Sequence, residues 1–275
     1  MHSTQADGDV ALVTGASSGI GKVTAQLLAM EGFRVFGTSR RQQPDENGTQ
    51  MLKLDIRSGD SVNACVEEVL ARTGRLDVLV NNAGVEHIGI AEETTVEEAQ
   101  ALFDTNFFGA VRMVDAVLPD MRMRRHGYIV NIGSAAAWVG EPGESFYAAS
   151  KRALAGFTES LRHEVWPLGI NVSLVEPGAF KTDVIRSATV NQVSIKDYDS
   201  VREASLRTLR DSLQKGGNPE QVARVILRIL RTPSPRLRYP VGEEAVWLPY
   251  LKVLLPQSLF DVLVRRGFGL KRQKS

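Results

Sequence analysis

"VALVTGASSGIG", residues 10–21, joins a short apolar run to a turn carrying three glycines, and helical spacing resumes directly after it. An apolar run of this length, closed by such a turn before a helix, reads as the strand–turn–helix start of a βαβ unit. Glycines 15, 19 and 21 permit a tight turn and let backbone N–H groups approach a pyrophosphate at the helix N-terminus. Their spacing, G-x-x-x-G-x-G, differs from the G-x-G-x-x-G of the common dinucleotide fingerprint.

The same alternation runs outward from this unit. "RVFGTS" (34–39), "QMLKLD" (50–55), "LDVLVN" (76–81), "GYIVNIG" (127–133) and "INVSLVEP" (170–177) read as further buried strands, and "RYPVG" (238–242) as a short strand closing the sheet. Segments 19–32, 58–73, 95–123 and 145–166 carry apolar residues at three-to-four spacing and are predicted as amphipathic helices. Strand and helix in regular succession imply an α/β fold: a Rossmann-type, doubly wound parallel sheet of about seven strands with helices on both faces. After Pro177 the rhythm breaks. Residues 183–217 are long, polar and irregular, and a helix resumes over 219–231, with Asn218 as cap and Pro219 in the first turn. With no internal repeat or low-complexity linker, the expectation is one domain over 1–275, with 183–217 as its irregular substrate-binding segment and 243–275 as a partly apolar C-terminal extension.

Composition excludes several classes of function. The 33 basic and 32 acidic residues leave a formal net charge of +1, so no long-range field recruits nucleic acid, and a small-molecule partner is expected. Cys65, the single cysteine, rules out an internal disulfide framework; its helical spacing with Val62, Val66 and Val69 makes it a buried thiol. The polar first nine residues do not read as a secretory signal, and the most apolar region, 246–264, is cut by Pro249 and Pro256, so a cytoplasmic protein without a transmembrane segment is expected. Histidines 2, 87, 126 and 163 are scattered without ligand spacing, and no metal is predicted. His87 follows "NNAG" closely enough to reach a substrate mouth, although a plain loop histidine is the safer reading. Glu141 and Glu144 either line a pocket or are solvated loop acids, the safer of the two.

"SFYAASK", residues 145–151, carries the chemistry. Residues four apart on a helix share a face, so Tyr147 and Lys151 point the same way, while Ala148, Ala149 and Ser150 avoid crowding whatever lies against that helix. A free phenol titrates near ~10, and a neighbouring ammonium is expected to pull it down toward the range of a general acid for carbonyl reduction.

These motifs, in this order, resemble the short-chain dehydrogenase/reductase family, strongly over residues 9–184 and weakly as far as "YPVG". Beside "TGASSGIG" (14–21) stand "NNAG" (81–84), Asn106 in "DTNFFG", Ser134 in "NIGSAAA", Tyr147 with Lys151, and "PGAFKT" (177–182). The resemblance implies that Gly15, Ser17, Ser18, Gly19, Ile20 and Gly21 hold a dinucleotide and that Asn82, Ala83 and Gly84 flank its adenosine ribose. It implies that Asp55 holds the adenine amine, and that Pro177, Gly178, the backbone near Phe180 and Thr182 fix the nicotinamide carboxamide. Phe180 stands where a small aliphatic residue is commoner in the family. The resemblance further gives Tyr147 as general acid/base, Lys151 on the nicotinamide ribose, Ser134 on the substrate oxygen, and Asn106 as holder of a water in a proton relay. Relatives bury the counterparts of helices 95–123 and 145–166 between subunits, which implies a homodimer or homotetramer.

The second strand decides the cofactor. An acid at its end would bind the ribose hydroxyls of NAD; here the chain reads Thr38, Ser39, Arg40, Arg41, with no acid before Asp45. Arginine's planar fork suits a phosphate, and Ser39 adds a hydroxyl, so NADP(H) is expected. The function read from the sequence is an NADPH-dependent oxidoreductase interconverting a ketone or aldehyde and its alcohol, with a hydrophobic substrate of steroid, retinoid or aryl-ketone type. Two alternatives are an inactive dinucleotide sensor and a nucleotide-sugar isomerase or dehydratase. The segment 247–272, apolar with terminal basic residues, would cover the pocket, extend the subunit interface or rest on a membrane surface, in that order of preference.

Overall fold

The computed structural model describes residues 8–181, 189–190 and 193–270. Seven strands form one sheet: β1 (Val10–Val13), β2 (Arg34–Ser39), β3 (Thr49–Lys53), β4 (Val78–Asn81), β6 (Gly127–Ile132), β7 (Ile170–Pro177) and β9 (Arg238–Val241). Their order is β3-β2-β1-β4-β6-β7-β9, and every pairing is parallel. The chain builds outward from β1 to β3, then returns to the other side of β1 for β4. This reversal between β1 and β4 opens a crevice at the carboxyl ends of the strands, where such sheets bind ligands.

Both faces of the sheet are covered, which is why its strands lack a polar alternate position. On one face Leu12, Phe36, Leu79 and Ile129 meet Val62, Val66 and Val69 of α2 (Gly59–Thr73), Met113 and Val117 of α4 (Gly109–Arg124), and Leu161 of α5 (Ser145–Val165). On the other face Val13, Val35, Val80 and Val130 meet Ala25 and Leu28 of α1 (Gly19–Met30), with Val222, Ile226 and Ile229 of α7 (Glu220–Leu230). Cys65 lies buried in the first layer, as its spacing predicted.

The structure departs from the sequence reading in three places. The single helix expected over 95–123 is instead α3 (Val96–Phe103), a π-helical turn (Asp104–Phe108) and α4. Thr95 caps α3 with a reciprocal box: its Oγ1 accepts from Glu98 N at 3.1 Å, and Glu98 Oε2 accepts from Thr95 N at 2.9 Å. The π turn inserts a residue into the ladder at Asn106, a device found at functional sites.

The segment expected to be irregular, 183–217, contains a 17-residue helix, α6 (Asp199–Lys215). It buries only Ala204 and Ser205, so its apolar stripe is too thin to announce a helix by periodicity. Its anchors are ionic. Arg202 pairs with the buried carboxylate of Glu93 and donates to Ile195 O at 3.1 Å, while Tyr198 Oη donates to Glu92 at 2.6 Å.

His87 is neither a loop residue nor in the wall of the main cavity. It is buried in β5 (His87–Ile88), which pairs with β8 (Thr189–Val190) in a separate two-stranded sheet. The extension folds as α8 (Glu243–Leu254), which contains Pro249, and α9 (Gln257–Gly267), with Pro256 at the break between them. Among the described residues no helix is long and apolar enough to cross a membrane.

Candidate active site

The glycine turn is held by the end of β4. Gly15 has φ +67°, a left-handed conformation that favours glycine, and a Cβ there would lie 2.9 Å from Ala83 Cα. A Cβ on Gly21 would fall 2.3 Å from both Asn82 Nδ2 and Gly15 O. The Asn82 amide donates to Thr14 O at 2.9 Å and Gly15 O at 3.2 Å, while Thr14 Oγ1 accepts from the N–H groups of Asn82 and Ala83, each at 3.0 Å. Ser18 precedes α1 without a side-chain cap, so the first-turn amides face outward unclaimed by any side chain. These features fit a pyrophosphate on the turn.

A cavity of about 900 Å³ runs over the carboxyl ends of the strands. The turn after β1 contributes Gly15, Ser17, Ser18, Gly19 and Ile20, the end of β2 contributes Ser39, Arg40 and Arg41, and Asp55 follows β3. From beyond β4 come Asn82, Ala83 and Gly84; from β6 and α5, Ser134, Tyr147 and Lys151; from beyond β7, Pro177, Gly178 and Phe180. Two expected site residues are not in this wall: Gly21 packs behind the turn and Asn106 lies behind Gly84; Thr182 falls outside the described residues.

Local bonds set what each group is free to do. Ser134 lies two residues beyond β6 and accepts from Ala136 N at 3.1 Å, leaving its O–H available to donate into the cavity. Tyr147 meets the side chains of both Ser134 and Glu86. Lys151 Nζ donates to Ile132 O at 3.0 Å and lies 5.8 Å from the Tyr147 ring centroid. The Asn106 side chain is fully engaged: Oδ1 accepts from Val85 N at 2.8 Å, and Nδ2 donates to Val85 O at 2.9 Å and Ser150 Oγ at 3.3 Å. Its carboxamide is a clamp on the chain after "NNAG". Beyond β7, Lys181 N donates to Gly217 O at 3.0 Å and Gly217 N to Ala179 O at 3.0 Å, which leaves the Phe180 main-chain N–H and C=O out of that pairing.

Arg57, which the sequence reading passed over, lines the cavity and donates to Asp55 through Nε at 3.0 Å and Nη2 at 2.8 Å. That grip holds the Asp55 carboxyl at about 2. The acid expected to meet an adenine amine is thus an ion-paired carboxylate. Its neighbour Arg57 joins Arg40 and Arg41 in a basic corner.

The electrostatics correct two expectations. Tyr147 is raised well above its ordinary value, not lowered: burial acts first, then the charges of Glu86 and Glu144. Lys151 is itself pushed down to about 8 by burial, against an upward pull from Glu86. Lys151 is not among the groups acting on Tyr147; burial leads in both shifts. Glu144 is no solvated loop acid either: it is buried, at 8% exposure, and burial followed by the Glu141 charge raises it to about 8. Glu141 is half-buried and raised for the same first reason. Glu86, buried and raised by desolvation and by Glu144, was missed although its signal was present, an acid two residues beyond "NNAG" in an otherwise apolar stretch. Among the described residues no group of His, Cys, Asp or Glu is arranged to hold a metal ion.

A family model described as short chain dehydrogenase matches residues 9–192. The chain is 39% identical over 265 residues to a 3-ketodihydrosphingosine reductase of Bacteroides thetaiotaomicron, covering 95% of this chain and 98% of that one. It is 35% identical over 272 residues to retinol dehydrogenase 8 of Bos taurus, covering 90% and 86% respectively. A solved short-chain dehydrogenase from Streptomyces avermitilis superposes with a TM-score of 0.80 at 36% identity, covering 94% of this chain and 96% of that one.

The Glu144 carboxyl gives a stability test. Its folded value of about 8 lies above the ordinary 4.5, so the folded state holds the proton more tightly. The associated stabilisation is complete below about 4.5 and is lost as pH rises through about 8. Denaturant unfolding between these pH values should show a loss on the order of 5 kcal/mol in the wild type and a flatter profile in Glu144→Gln. Parallel profiles would remove Glu144 as the source.

Proposed function

The chain belongs to the short chain dehydrogenase family of oxidoreductases, and from that premise we propose that it is an NADPH-dependent reductase of ketones or aldehydes carried on largely apolar substrates. The observation that carries the reading is the Tyr147 hydroxyl beside Ser134, with Lys151 one helical turn behind, at the end of the cavity opposite the basic corner.

A nicotinamide dinucleotide, when bound, supplies the hydride to the carbonyl carbon. The residues of this chain manage the proton. Ser134 donates its O–H to the carbonyl oxygen and polarises it, and Tyr147 passes its phenolic proton to that oxygen as the C–O bond gains charge. The Lys151 charge stabilises the phenolate left behind. A phenol raised by burial stays in its acid form near neutrality, which favours reduction over alcohol oxidation. The arrangement disfavours an inactive sensor, for which a buried acid, a polarising hydroxyl and a lysine on one wall would have no use.

NADPH is favoured by Arg40, Arg41 and Arg57 around the end of β2, with Ser39 among them. Arg40 is exposed, and a phosphate would give its fork a bidentate partner. An apolar substrate is supported by Leu209 and Leu213 of α6 with Leu248 and Phe268 of the extension, all lining the cavity. The extension thereby acts first as a pocket cover. Exposed Phe108, Met123 and Trp166, at 48%, 79% and 73%, lie at or beside α4 and α5 and support burial of those helices against a second copy. We keep the cytoplasmic assignment, which a single buried thiol suits.

Tyr147→Phe should fold and bind NADPH with little change but lose about 10²–10⁴-fold in single-turnover hydride transfer. Transfer within a few-fold of wild type would assign the proton to another group. Arg40→Ala should lose about 1.5–3 kcal/mol of NADPH affinity while leaving NADH binding unmoved; equal NADPH affinity in the two proteins would overturn the cofactor assignment. Cell fractionation followed by light scattering should recover a soluble dimer or tetramer, and a monomer, or recovery with membranes, would overturn the assembly or the location.

A further inference from the structure

We propose that Glu144, flanked by Glu86 and Glu141, forms a subsite for a cationic amine carried by the carbonyl substrate close to its reacting group. The inference rests on the reductase reading for the identity of that group, and on four features of the cavity for the subsite itself.

All three carboxyls line the cavity that Ser134, Tyr147 and Lys151 also line. Glu144 immediately precedes α5 and stands three residues before Tyr147, a spacing that puts both on one side of the first turn. A substituent adjacent to a carbonyl whose oxygen meets Tyr147 therefore comes to Glu144. Glu144 is 8% exposed, gives no cap bond to its helix, and is acted on by burial and the Glu141 charge but, among the described residues, by no cation.

Glu86 is equally enclosed. It accepts from His87 N at 3.3 Å and meets the Tyr147 phenol. Lys151 is the one cation among the described residues that acts on Glu86, and its Nζ already donates to Ile132 O at 3.0 Å. Of the three carboxyls, only Glu86 is acted on by that ammonium, which is turned toward the sheet. Burial without a cationic partner holds these carboxyls toward their protonated form, and a pocket that retains them beside its reacting group would gain from a ligand that brings a positive charge. Metal coordination does not account for them, since among the described residues no such group is arranged to hold an ion.

An alkylammonium meets this need. Its three N–H donors match several carboxylate oxygens at once, and it is small enough to sit beside a carbonyl. A neutral hydroxyl in the same place would satisfy one protonated carboxyl but would bring no positive charge to the others.

Binding tests the subsite without turnover. Calorimetry with the NADPH-loaded full chain would compare 2-aminodecan-3-ol, decane-2,3-diol and decan-3-ol, three alcohols that cannot be reduced further. The amino alcohol should bind about tenfold or more tightly than either of the others, and this advantage should collapse in Glu144→Gln and shrink in Glu86→Gln. Thermal melting and NADPH affinity of the variants confirm that they are folded. Equal affinity for amine and diol, an amine advantage that survives in Glu144→Gln, or no binding of any of the three would overturn the proposal. The reductase reading fails separately. If no ketone is reduced with either dinucleotide while the Glu144-dependent amine preference persists, the subsite stands and the reaction assignment falls. If decan-3-one is reduced in a Tyr147-dependent way without any amine preference, the reverse holds.

Discussion

The side chain of Asn82 stitches the exit of β1 to the exit of β4 at the place where the sheet reverses its order. Strands diverge at such a point, and the polar groups at their ends would otherwise be left without partners in a half-buried crevice. Thr14 returns the bond by accepting from two main-chain N–H groups of the "NNAG" turn, so the two loops are cross-linked in both directions. The absent Cβ of Gly21 follows from this contact, because Asn82 Nδ2 occupies its place. With the loops fixed at one separation, the cradle for a dinucleotide and the groups at the end of β6 open into one cavity. An aspartate at 82 would set carboxylate oxygens against two carbonyl oxygens, replacing attraction by repulsion at the same geometry.

A second polar layer lies under the first and orients the reacting groups. Asn81 Nδ2 donates to Asn131 Oδ1 at 2.9 Å, Asn131 Nδ2 donates to Thr158 Oγ1 at 2.9 Å, and Thr158 Oγ1 donates to Leu154 O at 2.6 Å. This chain fixes α5 along β6, and so sets where Tyr147 and Lys151 project. The π turn completes the arrangement: by adding a residue at Asn106 it turns that carboxamide onto Val85 instead of along the helix axis. Asn131, bonded through both its Oδ1 and its Nδ2, specifies one register in a way that an apolar contact would not, while the buried Asn81 Oδ1 is left without a partner.

Most of the sheet and the glycine turn were legible in the sequence because buried parallel strands carry uninterrupted apolar runs, and a turn with φ of +67° at Gly15 advertises itself by its residue type. Other features left weaker traces. Helix α6 hides because one of its faces looks into a cavity, so it needs little apolar surface; its anchor, Arg202 to Glu93, joins residues more than a hundred positions apart. The π turn has the same side-chain spacing as the helices on either side of it. Glu86, Glu144 and Arg57 looked like surface residues because charge in a sequence is read as exposure, and only the fold shows that the first two are enclosed. The expected influence of Lys151 on Tyr147 failed for a related reason: spacing reports that two groups are neighbours and says nothing of the water removed around them.

Water removal sets the resting state of the cavity. Taking charge out of water costs more than a single neighbouring charge returns unless hydrogen bonds complete the pair. In this cavity the loss acts on acid and base alike: the phenol and carboxyls rise, and the ammonium falls. Glu144 and Lys151 are both brought to about 8, so near neutrality neither is held firmly in one state by the protein. The ionisation of the wall therefore depends on what enters. A neutral carbonyl leaves the phenol as an acid, ready to protonate an oxygen and poorly suited to take a proton from an alcohol. A ligand with its own positive charge draws Glu144 into its ionised form and supplies the partner that the fold withholds, so recognition and the charge state of the wall would be set in one step.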